Sequence, residues 1–407
     1  MPLLELLKDS KPDIIVVIPA YKETFESLQQ TIFSLENAQV KTTSKVSVLI
    51  VVNYKEWDSD LVIKESHQLL KALEELASKK GGLNLFPTEL IHTSKKKGGV
   101  GSARKYGLDH GAKSFFELGK KEGLLVCLDA DCTVSANYFS EITAAFENWE
   151  GSCNIHFEHP IENQSEAVLW YELHLRYFIE MQRLQQLPFA YQTFGSAIAS
   201  TANEYIKEGG MNTRLAGEDF YYLHKWISKN KLKQILNATV FPSGRKSDRV
   251  PFGTGKAVID IEKEANWGTY DFRIFELFNI LPELLGHYYK TEKIIKFDNL
   301  FFTWLLKNDL EINLSACKSN TKTIEQYTDR FFYWFNGFKF LKAVHYLKAA
   351  AYPDIPVPQA INHVFKKLGL SYSEDAIENL ATFRKHNCTN PYYSSIKTLV
   401  QSRTNLQ

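Results

Sequence analysis

A chain of 407 residues is too long for one ordinary hydrophobic core and calls for two domains. Its 48 Lys and Arg residues nearly balance 47 Asp and Glu, so no global field recruits nucleic acid or an anionic membrane, and any basic site must be local. The five cysteines, Cys127, Cys132, Cys153, Cys317 and Cys388, have neither C-x-x-C nor zinc spacing, and an odd total fits packing thiols in a reducing compartment better than a disulfide framework.

In chain order, the N-terminal stretch is too acidic, and its apolar part too short, for a signal peptide. No apolar run reaches the roughly 20 residues that span a bilayer, so the expectation is a cytoplasmic protein. Residues 13–18 are a β-branched run ending at Pro19, the pattern of a central parallel strand. Leu28, Ile32 and Leu35 then fall at helical spacing. Residues 46–52 repeat the strand pattern, a helix follows from about Asp58 to Lys79, and a third strand is predicted between Leu83 and His92. Gly99-Val100-Gly101 opens a helix that runs to Leu118. A fourth strand begins at Leu124, a helix spans Ser135 to Asn148, a strand Cys153 to His159, and a long helix Glu166 to Leu187. Alternation of β and α at this rhythm specifies a doubly wound, mostly parallel α/β sheet.

The chemistry centres on residues 124–131, an apolar run that stops on Asp129 and Asp131. Residues two apart on a strand share a side, so both carboxylates are expected to converge just past the strand end, where open α/β sheets bind ligands. Two carboxylates at one point need a cation, and Mg²⁺ or Mn²⁺ suits oxygen donors of this kind. The simpler use of such a pair is to cap the next helix. The glycines at 99 and 101 would let a backbone approach phosphate at a helix N-terminus, or merely form a turn; Arg104, one helical turn in from Gly101, would reach a ribose or pyrophosphate. Glu218 and Asp219 open a further helix, where acids complement the dipole.

Taken together, residues 17–23 (Val-Ile-Pro-Ala-Tyr-Lys-Glu), Gly99-x-Gly-Ser-Ala-Arg104, Leu128-Asp-Ala-Asp131 and Gly217-Glu218-Asp219 resemble, in order and spacing, the family-2-type glycosyltransferases with the GT-A fold, over residues 12 to 240. The resemblance implies a transferase that moves a sugar from a nucleotide-diphosphate donor to the hydroxyl of a glycan, lipid-linked or small-molecule acceptor. Pro19, Ala20, Tyr21 and Glu23 would line the nucleotide pocket. Asp129 and Ala130 would lie by the ribose, and Asp131 would hold Mn²⁺ or Mg²⁺ on the diphosphate. Asp219 would be the general base, supported by Glu218, which implies an inverting reaction. At the end of the second strand many relatives carry an acid that reads the base; here Asn53 stands there, which leaves the donor open. No His is assigned as a third metal ligand. Three alternatives stay open: a retaining transferase of the same fold, a non-catalytic sugar-nucleotide or glycan-binding subunit, and a nucleotidyltransferase. The last normally has a Gly-rich loop after the first strand, which residues 19–23 lack.

Residues 1–240 are thus read as the catalytic domain and 241–256 as a basic Gly/Pro loop, either a linker or a lid that carries Arg245 and Arg249 to phosphate. From residue 257 to 393 the pattern is helical and aromatic, including predicted helices Ile324 to Phe340 and Lys342 to Ala351. Its aromatic faces, such as residues 331–335, are read chiefly as core, with an acceptor groove or peripheral membrane contact as the sharper alternative. Residues 394–407 are expected to be a weakly ordered tail.

Overall fold

The computed structural model describes residues 3–79, 82–95, 98–162, 165–215, 217–247, 253–264 and 267–405. The chain forms two compact units, residues 1–164 with 193–256, and residues 165–192 with 257–407.

The first unit is built on an eight-stranded sheet. In chain order its strands are β1 (Ile14–Ala20), β2 (Val46–Lys55), β3 (Asn84–His92), β4 (Leu124–Cys127), β5 (Thr133–Val134), β6 (Ser152–Phe157), β7 (Ile198–Thr201) and β8 (Leu232–Phe241). Their spatial order is β3-β2-β1-β4-β7-β6-β8-β5. β3, β2, β1 and β4 run parallel, as do β6 and β8, while β7 is antiparallel to both β4 and β6. Every residue of β1 is buried, which is why its sequence is a continuous β-branched run rather than an alternation. The doubly wound, mostly parallel sheet expected from the β-α rhythm is therefore present, with β7 added as an antiparallel strand. Residues 198–201, which no pattern in the sequence marks as a strand, form one by pairing with β4 on one side and β6 on the other.

The helices that cover the sheet start where the sequence places caps. Thr24 accepts the N–H of Ser27 at 3.2 Å, so helix Phe25–Gln39 begins there and buries Leu28, Ile32 and Leu35. Helix Val100–Glu117 carries Gly107 and Gly111 toward β1 and β4, close enough that a Cβ at Gly111 would stand 2.8 Å from a methyl of Leu125. The cysteines are free, and Cys127, Cys132, Cys153 and Cys317 are buried, as packing thiols should be.

The second unit is helical. Helix Glu166–Leu184, which the sequence reading places in the first domain, belongs here and packs with helices Val357–Leu368 and Ala376–Thr389. The reason is partly ionic: Glu172, fully buried, is held by Arg176 at 2.6 Å and by Arg384 at 2.7 Å. A buried carboxylate needs such partners, and they come from both helices. Phe278, Phe301, Phe335 and Phe340 form an aromatic core. The helix break falls at residues 335–336, between Ile324–Trp334 and Gly337–Ala350, because Asn336 caps the second helix through the N–H groups of Phe338 and Lys339. Of the aromatic run, Phe331, Phe332 and Phe335 are buried and Tyr333 is exposed. The stretch expected as a loose tail contains helix Ile396–Asn405, anchored by buried Ile396 and Val400. Among the described residues no helix is long and apolar enough to cross a membrane.

Candidate active site

The site lies at the C-terminal ends of β1 and β4. β4 stops at Cys127, and the chain turns at once: the N–H of Cys132 donates to the carbonyl of Asp129 at 3.2 Å. The turn is clamped from helix Phe25–Gln39, where the Thr31 hydroxyl donates to the carbonyl of Ala130 at 2.9 Å. Ala130 is thereby buried, with Asp129 and Asp131 on either side of it. The two carboxylates were expected to converge through strand geometry. Because they sit on a turn instead, each meets a different guanidinium.

Asp129 meets Arg104. One terminal nitrogen of Arg104 donates to Asp129 and the other to Glu218, while the side chain is only 4% exposed. Its Nε is buried with no hydrogen-bond partner among the described residues. Gly195 forms one wall of this slot, so close that any Cβ there would meet the guanidinium. Glu218 opens helix Glu218–Ile227 after Gly217, whose φ of 70° turns the chain into the helix. Asn212 holds the carbonyl of Glu218 at 2.9 Å. Next to it, the half-buried Asp219 accepts the N–H of Phe220 at 2.7 Å. Loss of solvent, then the charge of Glu218, pushes its carboxyl up to about 7, against the pull of Arg104. A carboxyl poised there is suited to take a proton at neutral pH.

Asp131 meets Arg245, at 2.9 Å, and the same nitrogen of Arg245 lies 2.6 Å from Glu23. The carboxylates of Glu23, just beyond β1, and Asp131, just beyond β4, therefore share one positive group. These are hard oxygen donors already gathered around a cation, and such a set fits Mg²⁺ or Mn²⁺. Arg245, on the loop after β8, was expected near phosphate; the structure places it against these carboxylates. Arg249 lies outside the described residues.

Pro19 and Ala20 form the buried end of β1, and the Tyr21 hydroxyl donates to Asp58 at 3.0 Å. Asn53 is buried near the end of β2. Its Nδ2 donates to Nε2 of His92 at 3.3 Å, and its Oδ1 has no hydrogen-bond partner among the described residues. Burial, and secondarily Lys55, hold His92 below its ordinary value, which favours the neutral ring needed as acceptor.

The glycines before Arg104 make room for another part of the chain. A Cβ on Gly99 would stand 2.7 Å from the carbonyl oxygen of Leu215, and one on Gly101 2.6 Å from that of Arg214. They let the loop that carries Glu218 lie against the start of the helix that carries Arg104. Gly101→Ala is therefore expected to lower stability by about 1–3 kcal/mol, the usual scale of overpacking, and to lower activity with it. Thermal unfolding measures the first; an unchanged melting temperature would refute this packing role.

Several of these links had no local signal in the sequence. Arg245 and Glu23 are 222 positions apart, and Gly195 lies 91 positions from Arg104.

The family model "Glycosyl transferase family 2" matches residues 15–202, which hold β1 to β4, Arg104, Asp129 and Asp131. Among curated proteins no sequence is significantly similar to the chain. Similar solved structures include S. aureus TarS 1-349, at 12% identity and a TM-score of 0.37, covering 97% of this chain and 92% of that one. The same TarS fragment in complex with UDP gives 13% and 0.36, with coverage of 97% and 92%. The mannosyltransferase PcManGT from Pyrobaculum calidifontis, in complex with GDP-Man and Mn²⁺, gives 12% and 0.35, with coverage of 97% and 87%.

Proposed function

Residues 15–202 belong to glycosyl transferase family 2, and from that premise we propose that this glycosyltransferase moves a sugar from a nucleoside-diphosphate donor to an acceptor hydroxyl with inversion, Asp219 acting as general base. The observation that carries the reading is the shared guanidinium. Asp129 and Glu218 lie 89 positions apart, yet both bind Arg104, which brings the acids after β4 and the acids opening helix Glu218–Ile227 into one cluster.

In the proposed reaction the acceptor oxygen attacks the anomeric carbon from the face opposite the diphosphate. The carbon–oxygen bond to the diphosphate breaks and its electron pair leaves with the nucleoside diphosphate. The acceptor proton passes to a carboxylate oxygen of Asp219. Asp131, with Glu23 beside it, would hold Mg²⁺ or Mn²⁺, which when bound would stabilise negative charge on the leaving diphosphate. Arg245, already beside both carboxylates, would add its own positive charge to that region. Asn53, whose buried Oδ1 has no partner among the described residues, would meet an N–H of the base. The acceptor belongs to the class of glycan, lipid-linked or small-molecule hydroxyls.

A panel of nucleotide sugars tested by thermal shift, with Mn²⁺ and with a chelator, checks this reading. One donor is expected to stabilise the chain in Mn²⁺ and not in chelator, by about 2.7 kcal/mol at a hundredfold excess over Kd. Silence across the whole panel would sink the proposal.

A further inference from the structure

We propose that Arg104 is a positioning residue that locks the donor-side Asp129 to the acceptor-side Glu218, and is not a ligand of the donor diphosphate. This rests on the glycosyltransferase reading above and assigns a part of that site. Four observations carry it. The side chain is only 4% exposed, so a diphosphate could reach the guanidinium only if the site opened. Both terminal nitrogens are already committed, one to Asp129 and one to Glu218. Gly195 closes the slot on one side without a side chain, leaving room for the guanidinium and for little else. Gly99 and Gly101 let the loop before Glu218 close onto the very helix that supplies Arg104, so the local packing is arranged around this bridge.

The bridge also has an electrostatic consequence. Asp219 is faced by Glu218 on its own helix, by Asp129 and the buried thiol Cys127 from β4 and its turn, and by Arg104 from helix Val100–Glu117. Arg104 is the one positive group among them. Removing it would leave Glu218, 2% exposed, without its cation and would favour the protonated form of Asp219. Transfer would then need a higher pH. A planar guanidinium can span two carboxylates; a Lys ammonium would keep the charge but lose the fixed fork.

The test uses the full chain and three variants, Arg104→Met, Arg104→Lys and Gly195→Ala. Binding of UDP and of GDP, each with Mn²⁺, is measured by calorimetry. With the donor that the panel identifies, kcat, KM and the pH profile of kcat are measured, counting transfer to water where no acceptor is known. For a positioning role, nucleotide affinity changes less than about threefold in all three variants, while kcat of Arg104→Met falls about 100-fold, the scale of a small misplacement. Its acid limb moves up by about one pH unit or more. Arg104→Lys keeps the limb near its original place and recovers part of kcat. Gly195→Ala lowers kcat without moving the limb, because the charge remains. If Arg104→Met does not fold, the other two variants carry the test through the same split between kcat and affinity. A tenfold or greater loss of nucleotide affinity with kcat unchanged would overturn the proposal and make Arg104 a donor ligand, leaving the glycosyltransferase reading intact. A wild-type chain that binds neither nucleotide and turns over no nucleotide sugar would overturn that reading, and this proposal with it.

Discussion

Asp219→Asn is expected to lower glycosyl transfer by about 10²–10⁴, the contribution of a positioned general base, while metal-dependent stabilisation by the donor persists. Of the five carboxylates Glu23, Asp129, Asp131, Glu218 and Asp219, the last alone makes no guanidinium contact among the described residues, and the N–H of Phe220 donates to it at 2.7 Å. An amide of the same shape keeps an acceptor oxygen for that bond but cannot take up a proton. The wild-type pH profile supplies the companion result. Burial and Glu218 push the carboxyl up to about 7, and the reactive form is the carboxylate, so kcat should rise as pH passes upward through about 7 and level off above it. The acid limb should vanish from the residual activity of Asp219→Asn. Transfer by that variant within tenfold of wild type, at any pH, would remove Asp219 from the reaction.

Asp131→Asn should act on the other half of the site. Its carboxylate is 22% exposed and shares Arg245 with Glu23, which keeps that guanidinium neutralised when Asp131 is lost, so the unliganded chain should melt close to wild type. What should disappear is the Mn²⁺-dependent shift produced by the donor. Loss of an outer partner of a metal ligand already costs 10–100-fold in metal affinity, so loss of the ligand should cost at least about 100-fold. The measurement is the thermal shift with the donor in Mn²⁺ against chelator. A wild-type shift in this variant would show that Asp131 does not hold the metal.

The candidate site was legible in the sequence where its residues sit at places local rules mark for chemistry. β1, β2 and β4 announce themselves as buried apolar runs, and ligand-binding side chains gather just past their ends. Asp129 and Asp131 were singled out in that way, and Glu218 and Asp219 as acids that open a helix. Arg104 and Arg245 were found as well, but with phosphate as their expected partner. In the structure both are bound to carboxylates. A cation in a sequence reveals its charge; which anion it meets depends on segments tens to hundreds of residues away.

The same division explains the rest. The amino-acid sequence by itself determined the parallel β-α framework, the apolar run that stops on two acids, and the helix that starts on Glu218 and Asp219, because hydrophobic runs, caps and breakers act over a few residues. Only the tertiary structure decided that Gly99 and Gly101 make room for another loop, that residues 198–201 become a strand between β4 and β6, and that helix Glu166–Leu184 joins the C-terminal unit. A glycine's reason is whatever approaches it, a short strand's reason is the pair of neighbours it completes, and a buried Glu172 goes where Arg384, 212 positions away, can neutralise it. Each of these is a contact between distant parts of the chain, and such contacts exist only once the chain has folded.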